Sequence, residues 1–555
     1  MKLSNGKNVV HTIKERCRVC FTCVRECPAK AIRITDGQAD IIGDRCIGCG
    51  NCVRVCSQKA KKVLSSIDSV RELLAGSGYK KIAIVAPSFP AEFHDVDYKR
   101  MVGALKKIGF DHVHEVGFGA DLISLAYKKL VDEKPGTSYI ATTCPAVVAY
   151  VEKYYPELIP KLAAIVSPMI AQARVVKQLY GDNIKVVFIG PCVAKKGEVE
   201  KDQYMGEINE ALTFVELKDL FDMLEIDRHN STDSEFDPPY AGKGSLYAIS
   251  RGLLQSAGIK EDLVQGNVVV ADGRISFVEA IKEFDKEHHM TNLLEILCCE
   301  GCVMGAGINN EIPLYKRRNK VSSYVKNKMK DFKEDKLQED IKKYSNIDLS
   351  RVFEVNDQRI PVPSDDKIEA ILERMGKENK EDELNCGACG YESCREHALA
   401  ILKGLAESEM CLPYTIGKLR QTVSNLEKSY GELKSVKEAL NHRDKLASMG
   451  QLAAGIAHEI NNPLGIILMY AHILSEQCGQ SPEMKEDVGV IVQHADRCKK
   501  IVSELLNFAR QNRIVKTPVD IVEMLRNCIE ALDIPKHIEI NIINKMEDEP
   551  TAELD

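Results

Sequence analysis

Seventeen of the twenty cysteines in this chain fall into three groups whose spacing can do chemistry. The first is doubled: Cys17-x2-Cys20-x2-Cys23-x3-Cys27 is followed by Cys46-x2-Cys49-x2-Cys52-x3-Cys56. The second is spread over three segments, Thr143-Cys144-Pro145, Pro191-Cys192 with Lys195-Lys196 close behind, and Cys298-Cys299-Glu300-Gly301-Cys302. The third comprises Cys386, Cys389, Cys394 and Cys411. Thiolates in such patterns are soft ligands that suit iron-sulfur clusters or zinc. Outside them, His458-Glu459-Ile460-Asn461-Asn462-Pro463 sets an imidazole beside a carboxylate, with a carboxamide one helical turn on and on the same face. An imidazole and a carboxylate so placed can exchange a proton.

The elements that must position these groups are legible in the hydrophobic pattern. Between about residues 63 and 345, apolar runs such as Lys81–Pro87, Lys185–Pro191 and Asn267–Ala271 alternate with helix-like stretches. That alternation predicts α/β structure with parallel strands. Ligands in such folds sit beyond the carboxyl ends of strands, where the second cysteine group falls, so its three segments are expected to converge. Farther on, Ile416, Leu419, Val423, Leu426, Tyr430, Leu433 and Leu440 recur at steps of three and four, with Val436 one position early. This predicts a two-stranded coiled coil spanning roughly 37 Å at about 1.5 Å per residue. Pro463 removes a backbone donor and is expected to bend its helix. The basic run Lys316 to Lys330 reads as a solvated face or linker, with partner docking as the alternative.

Composition narrows the function classes. A chain of 555 residues allows three to five domains, and a net charge of -7 offers no general attraction for nucleic acid. No apolar stretch reaches the about 18 residues of a membrane span, and no signal-peptide pattern opens the chain, so a cytoplasmic location is expected. Cysteines there stay reduced, which favours metal ligation over disulfides. Cys478, Cys498 and Cys528 read as buried apolar thiols.

The doubled run resembles that of bacterial ferredoxins, which implies two [4Fe-4S] clusters, Cys27 completing the second and Cys56 the first. Zinc is the competing reading. The second group, by order and spacing, resembles the catalytic domain of [FeFe]-hydrogenases. The resemblance implies an H-cluster: a [4Fe-4S] cubane held by Cys144, Cys192, Cys298 and Cys302, with Cys302 bridging to a diiron unit that carries carbon monoxide, cyanide and a dithiolate. Cys299 leaves the register open, although the x3 spacing favours Cys298. Lys195 would donate to a cyanide, and Ala86, Pro87 and Ser88 would form the facing wall.

Departures from that family bear on activity. Thr143 stands where fast members carry a proton-shuttling cysteine, and the relay positions read Tyr127, Leu130 and Ala163 in place of two glutamates and a serine. A threonine hydroxyl barely ionises near neutrality, so slow turnover is expected. Gly190, Met169 and Ile296 also replace family side chains near the diiron unit.

The third cysteine group resembles a small single-cluster [4Fe-4S] domain, with Ala398, Ala400 and Gly404 facing the cluster and zinc again the alternative. Residues 446–510 resemble the dimerisation and phosphoacceptor domain of histidine kinases. That implies phosphorylation of His458, proton uptake by Glu459 and positioning of water by Asn462. Pro518 to Asp555 resembles the opening strand and helix of an ATP-binding domain without its asparagine box or phosphate loop, so ATP is expected to serve only a longer form.

The expected architecture is multidomain α/β and α. It comprises a ferredoxin-like 2x[4Fe-4S] domain (1–62), an H-cluster domain (63–345), a helical single-cluster domain (346–414), a coiled coil (415–447), a helical-hairpin phosphoacceptor domain (448–512) and the start of a truncated ATP-binding domain (513–555). The whole resembles a sensory [FeFe]-hydrogenase of the group C/D type. Expected partners are a second copy of the chain, H2 and protons, a response regulator and a redox electron donor, without nucleic acid or membrane. The alternatives are a working ferredoxin-linked hydrogenase with a regulatory tail, or an iron-sulfur scaffold lacking the diiron unit.

Overall fold

The structure is a computed structural model that describes the chain except for residues 1–7, 36, 135, 263–265, 287–290, 310–311, 331, 362, 478–481, 511–516, 531–539, 544–550 and 555. It divides into two compact units, Met1–Lys418 and Leu419–Asp555.

The first unit opens with a duplicated fold. Strands β1 (Val10–Thr12), β2 (Ile32–Thr35), β3 (Gln38–Ile41) and β4 (Lys61–Val63) pair antiparallel as β1 with β4 and β2 with β3. Each cysteine run carries one four-residue helix, Thr22–Arg25 or Asn51–Arg54, entered through a left-handed residue, Phe21 or Gly50. Positive φ recurs at equivalent places in the two repeats: Val19 and Gly48, Phe21 and Gly50, Lys30 and Lys59. This shared backbone turns amide N–H groups toward sulfur. Ala31 N donates to Cys27 Sγ at 3.3 Å and Ala60 N to Cys56 Sγ at 3.3 Å.

The α/β body holds two parallel sheets. They are built from β5 (Lys80–Val85), β6 (His112–Glu115), β7 (Tyr139–Ile140), β8 (Ile184–Gly190), β9 (Glu210–Thr213), β10 (Val268–Asp272) and β11 (Leu293–Leu297). One sheet runs β6-β5-β8-β9 and the other β10-β11-β7. Consecutive Ile82, Ala83, Ile84 and Val85 are all fully buried, because a central parallel strand is covered on both faces and its sequence cannot alternate.

The basic run Lys316 to Lys330 is no linker. Helix Leu314–Lys328 lies against the body through buried Arg317, Val321 and Val325. Arg317 donates to the carbonyls of Val303 (2.9 Å), Ile312 (2.7 Å) and Asn309, so a cation that reads as solvated instead ties down the loop after Cys302.

The small third domain carries helices Asp365–Arg374 and Cys394–Leu402. Ala398 packs in a cluster with Cys394 and Cys411, whereas Ala400 faces the β2–β3 hairpin side with Ile32 and Ile34. Gly404 is on neither face. It ends the helix in the left-handed conformation (φ +67), with Leu405 N donating to Ala400 O, a Schellman closure that favours glycine.

In the second unit a single helix runs from Leu412 to Gln477, straight through Pro463, and a second spans Pro482–Arg510. Coiled coil and phosphoacceptor segment are therefore one element of roughly 100 Å at about 1.5 Å per residue. Cys498, on the second of these helices, and Cys528, on helix Ile521–Glu530, are exposed rather than buried; Cys478 lies outside the described residues. Among the described residues no helix is long and apolar enough to cross a membrane, and no cysteine is in a disulfide.

Candidate functional site

Four segments that leave carboxyl ends of strands meet around one cavity. Ala86, Pro87 and Ser88 follow β5, Thr143 follows β7, Cys192 and Lys195 follow β8, and Cys302 follows β11. Met169, Phe188 and Tyr247 complete its walls, and its volume is about 70 Å³. A larger cleft of about 750 Å³ near Phe89 and Tyr324 holds no cysteine, and its Glu115 is already engaged by Tyr324 and Lys328.

The cavity is dry and sparingly polar. Ser88 Oγ is fully buried without a hydrogen-bond partner in the protein. Lys195 is 7% exposed, and its Nζ meets Glu198 Oε2 at 2.6 Å. Glu198 in turn faces Arg351 Nη1 at 3.4 Å, with both side chains inaccessible. Burial pushes the Glu198 carboxyl up, but Lys195 and Arg351 outweigh it and hold the group below its ordinary value. Arg351, which sequence reasoning missed, stacks over Tyr204 and Phe353 on the strand-like segment leading to the third domain. Nothing local in its sequence marks it.

Of the relay positions, Tyr127 and Ala163 belong to one closed group with Thr142, while Thr143 lines the cavity. Tyr127 is fully buried; its hydroxyl accepts from Thr142 N at 2.8 Å and lies 3.0 Å from Thr142 Oγ1. Thr142 Oγ1 also lies 2.9 Å from Ala163 O and 2.8 Å from Ile165 O, so every hydroxyl in the group is occupied internally. Gly190 leaves room for the Phe188 ring: a Cβ there would stand 2.5 Å from Phe188 Cζ. Ile296 does not line the cavity and instead lies in the apolar cluster with Val147 and Phe277.

The thiols sort into sets by their mutual charge effects. Cys23 feels Cys17, Cys20 and Cys56, while Cys52 feels Cys49, Cys27 and Cys46. Beside the cavity, burial pushes Cys192 and Cys302 up to about 12, and each also feels Cys144. Cys386, Cys389, Cys394 and Cys411 line one small cavity in the third domain. Among the described residues no three of these side chains converge closely enough to hold a single ion. Buried thiols raised in this way become thiolates once a metal cluster supplies positive charge, and the N–H groups aimed at sulfur suit that state. The donor sets, the N–H geometry and the unpartnered Ser88 hydroxyl fit iron-sulfur clusters and a polar-ligated metal group in the cavity.

The sets are close to one another. Cys27, Cys46 and Cys49 of the duplicated fold and Cys144 and Cys192 of the body all pack against one apolar cluster that contains Cys298. Gly50 (φ +72) follows Cys49, where a Cβ would be 2.6 Å from Ala306 Cβ. The third domain seats on the β2–β3 side, where Arg33 Nη1 donates to Gly404 O at 3.2 Å and Lys30 to Gly390 O. In the second unit His458, Glu459 and Asn462 are all exposed on the long helix.

Residues 79–306 match the family of the iron only hydrogenase large subunit, C-terminal domain. Residues 10–57 match a 4Fe-4S dicluster domain, 382–413 an Fe-S cluster family, and 448–513 the His Kinase A (phospho-acceptor) domain. The chain thus joins a segment matching iron-only hydrogenases and segments matching iron-sulfur cluster domains to one matching a histidine kinase phosphoacceptor domain. Iron hydrogenase 1 of Clostridium pasteurianum is 27% identical over 300 residues, 44% of this chain and 52% of that protein. The periplasmic [Fe] hydrogenase large subunit of Nitratidesulfovibrio vulgaris is 28% identical over 356 residues, 53% of this chain and 84% of that protein. Sensor histidine kinase ZraS of Klebsiella oxytoca is 35% identical over 99 residues, 18% of this chain and 21% of that protein. The chain therefore spans about half of the first relative and a fifth of the last. The solved apo [FeFe]-hydrogenase HydA1 of Chlamydomonas reinhardtii aligns with a TM-score of 0.44 at 17% identity, over 53% of this chain and all of that one.

Proposed function

We propose that this chain is a hydrogen- and redox-responsive [FeFe]-hydrogenase whose output is the phosphorylation state of His458. The observation that carries this reading is the pairing, within one chain, of a cysteine-lined cavity whose relay positions Tyr127 and Ala163 are closed with an exposed phosphoacceptor histidine.

In this reading Cys17, Cys20, Cys23 and Cys56 hold one [4Fe-4S] cluster, Cys27, Cys46, Cys49 and Cys52 a second, and Cys386, Cys389, Cys394 and Cys411 a third. The cavity set with Cys144, Cys192 and Cys302 holds the H-cluster, which when bound supplies reversible H2 oxidation and proton reduction. Lys195 gives the cavity a fixed positive charge suited to an anionic metal ligand, while Ser88 offers an uncommitted hydroxyl and Ala86 and Pro87 exclude water. Thr143 cannot pass protons at the rate of a thiol, and Tyr127 and Thr142 are committed to each other and to carbonyls, so no fast exit for protons is offered along that side. Cys46 and Cys49 of the second set and Cys144 and Cys192 of the cavity set pack against the same apolar cluster, giving electrons a short route inward.

A second copy of the chain would cover the apolar seam of the long helix, and a response regulator would take the phosphoryl group from His458. Glu459 stands ready to accept the imidazole proton, and Asn462, one turn on, to orient water.

The test is anaerobic maturation of the chain with a synthetic diiron complex, followed by infrared spectroscopy. Cyanide and carbonyl stretches from protein-bound iron are expected. A matured chain without such bands contradicts the reading and favours the scaffold alternative.

A further inference from the structure

β11 and the turn after it decide which of two adjacent cysteines serves the cavity. Along this strand the pleat sends successive side chains to opposite faces. Leu294, Ile296 and Cys298 belong to one apolar cluster, with Val147 and Phe277. Leu293 lies instead in the core of the body, and Leu297 lines the cavity. Cys298 therefore continues the face turned away from the cavity, and Cys299 continues the face of Leu297.

From this placement we infer that Cys299, not Cys298, completes the cavity set with Cys144, Cys192 and Cys302, and that Cys298 is a buried thiol outside that set. The inference rests on the proposed reading and corrects the choice that x3 spacing alone would make.

Three further observations agree. Cys298 is 4% exposed within this apolar cluster, against which Cys27, Cys46 and Cys49 pack and the cavity thiols Cys144 and Cys192 also pack. Cys298 interacts most strongly with Cys49, and of the cavity thiols it feels Cys144 but neither Cys192 nor Cys302 among its main neighbours. Cys299, after burial, feels Cys144, Cys192 and Cys302 in that order. The turn holds this arrangement: Gly301 N donates to Cys299 O at 2.7 Å, and Gly301 adopts φ +77, a conformation few other residues take.

The test counts iron and acid-labile sulfide in the anaerobically reconstituted full chain, before any diiron unit is added. Wild type is expected to hold about four more iron atoms than Cys144→Ser, one cubane's worth. Equal iron in those two proteins overturns the underlying reading and this inference with it. With that difference in place, Cys299→Ser is expected to lose the same complement and Cys298→Ala to keep it. The reverse pattern, retention by both variants, or loss by both overturns the assignment. If Cys299→Ser proves insoluble, Cys298→Ala decides alone, full iron supporting the assignment and a missing cubane overturning it.

Discussion

Lys195 shows how much of this site is decided by single side chains that sequence cannot pair. Its Nζ is held by Glu198, and Glu198 by Arg351, in a row of three buried charges that leads from the cavity to the segment before the third domain. Lysine near a cysteine ligand was legible from spacing, but its partner's partner lies more than 150 residues away and carries no local signal. Removing one member of a buried ionic group leaves the others uncompensated, which costs about 3 to 5 kcal/mol. Arg351→Ala should therefore lower the thermal midpoint markedly, while a surface control such as Arg71→Ala leaves it unchanged. The effect should depend on pH. Glu198 titrates in the folded protein below its ordinary value of 4.5, so its stabilisation is complete above that value and disappears as pH falls through the lower folded one. In Arg351→Ala that loss should set in at higher pH, measurable as thermal midpoints between about pH 3 and 6. Identical acid profiles for the two proteins would contradict the pairing.

Elements were read from the sequence with uneven success, and the failures have physical causes. The parallel strands of the body were visible because their apolar runs are continuous, and the duplicated cluster fold because its ligands repeat. The helix Leu314–Lys328 was not, since its outward charges mask three inward positions, Arg317, Val321 and Val325. Pro463, expected to bend its helix, lies inside one that continues on both sides, as a proline within a long helix forfeits only one hydrogen bond when the turns on either side remain paired. Gly404 was read as a packing residue when it is a helix stop. Cys298 was preferred over Cys299 on spacing, and only the pleat of the strand separates them. Where the duplicated fold meets the body, at Gly50, the demand is for an absent side chain. Gly50→Ala would place a Cβ against Ala306 and force a non-glycine residue to φ +72, so about 1 to 3 kcal/mol of strain is expected. A lower thermal midpoint and faster loss of iron on gel filtration should follow; unchanged iron retention would show that the two loops yield more easily than their packing implies.

At the scale of the whole molecule, metal sites and phosphoacceptor lie in different compact units, and the helix beginning at Leu412 connects them in sequence. Its seam remains open in the single chain, with Leu426 at 68% and Leu433 at 69% exposure. Apolar rows of this length call for a partner helix. Leu426→Lys with Leu433→Lys should convert a dimer to monomer in analytical ultracentrifugation while leaving iron content intact; a dimer that survives both substitutions would place the interface elsewhere. The central claim is that the cavity reports hydrogen rather than processing it in bulk. The most direct measurement follows the matured full chain by infrared spectroscopy during exchange of argon for H2, with dye-coupled H2 oxidation recorded on the same sample beside iron hydrogenase 1 of Clostridium pasteurianum. The account predicts a reversible, H2-dependent shift of the cyanide and carbonyl bands together with turnover at least about 100-fold below that relative, the scale expected when a positioned proton carrier is missing. Turnover equal to the relative's, or bands indifferent to H2, would contradict it.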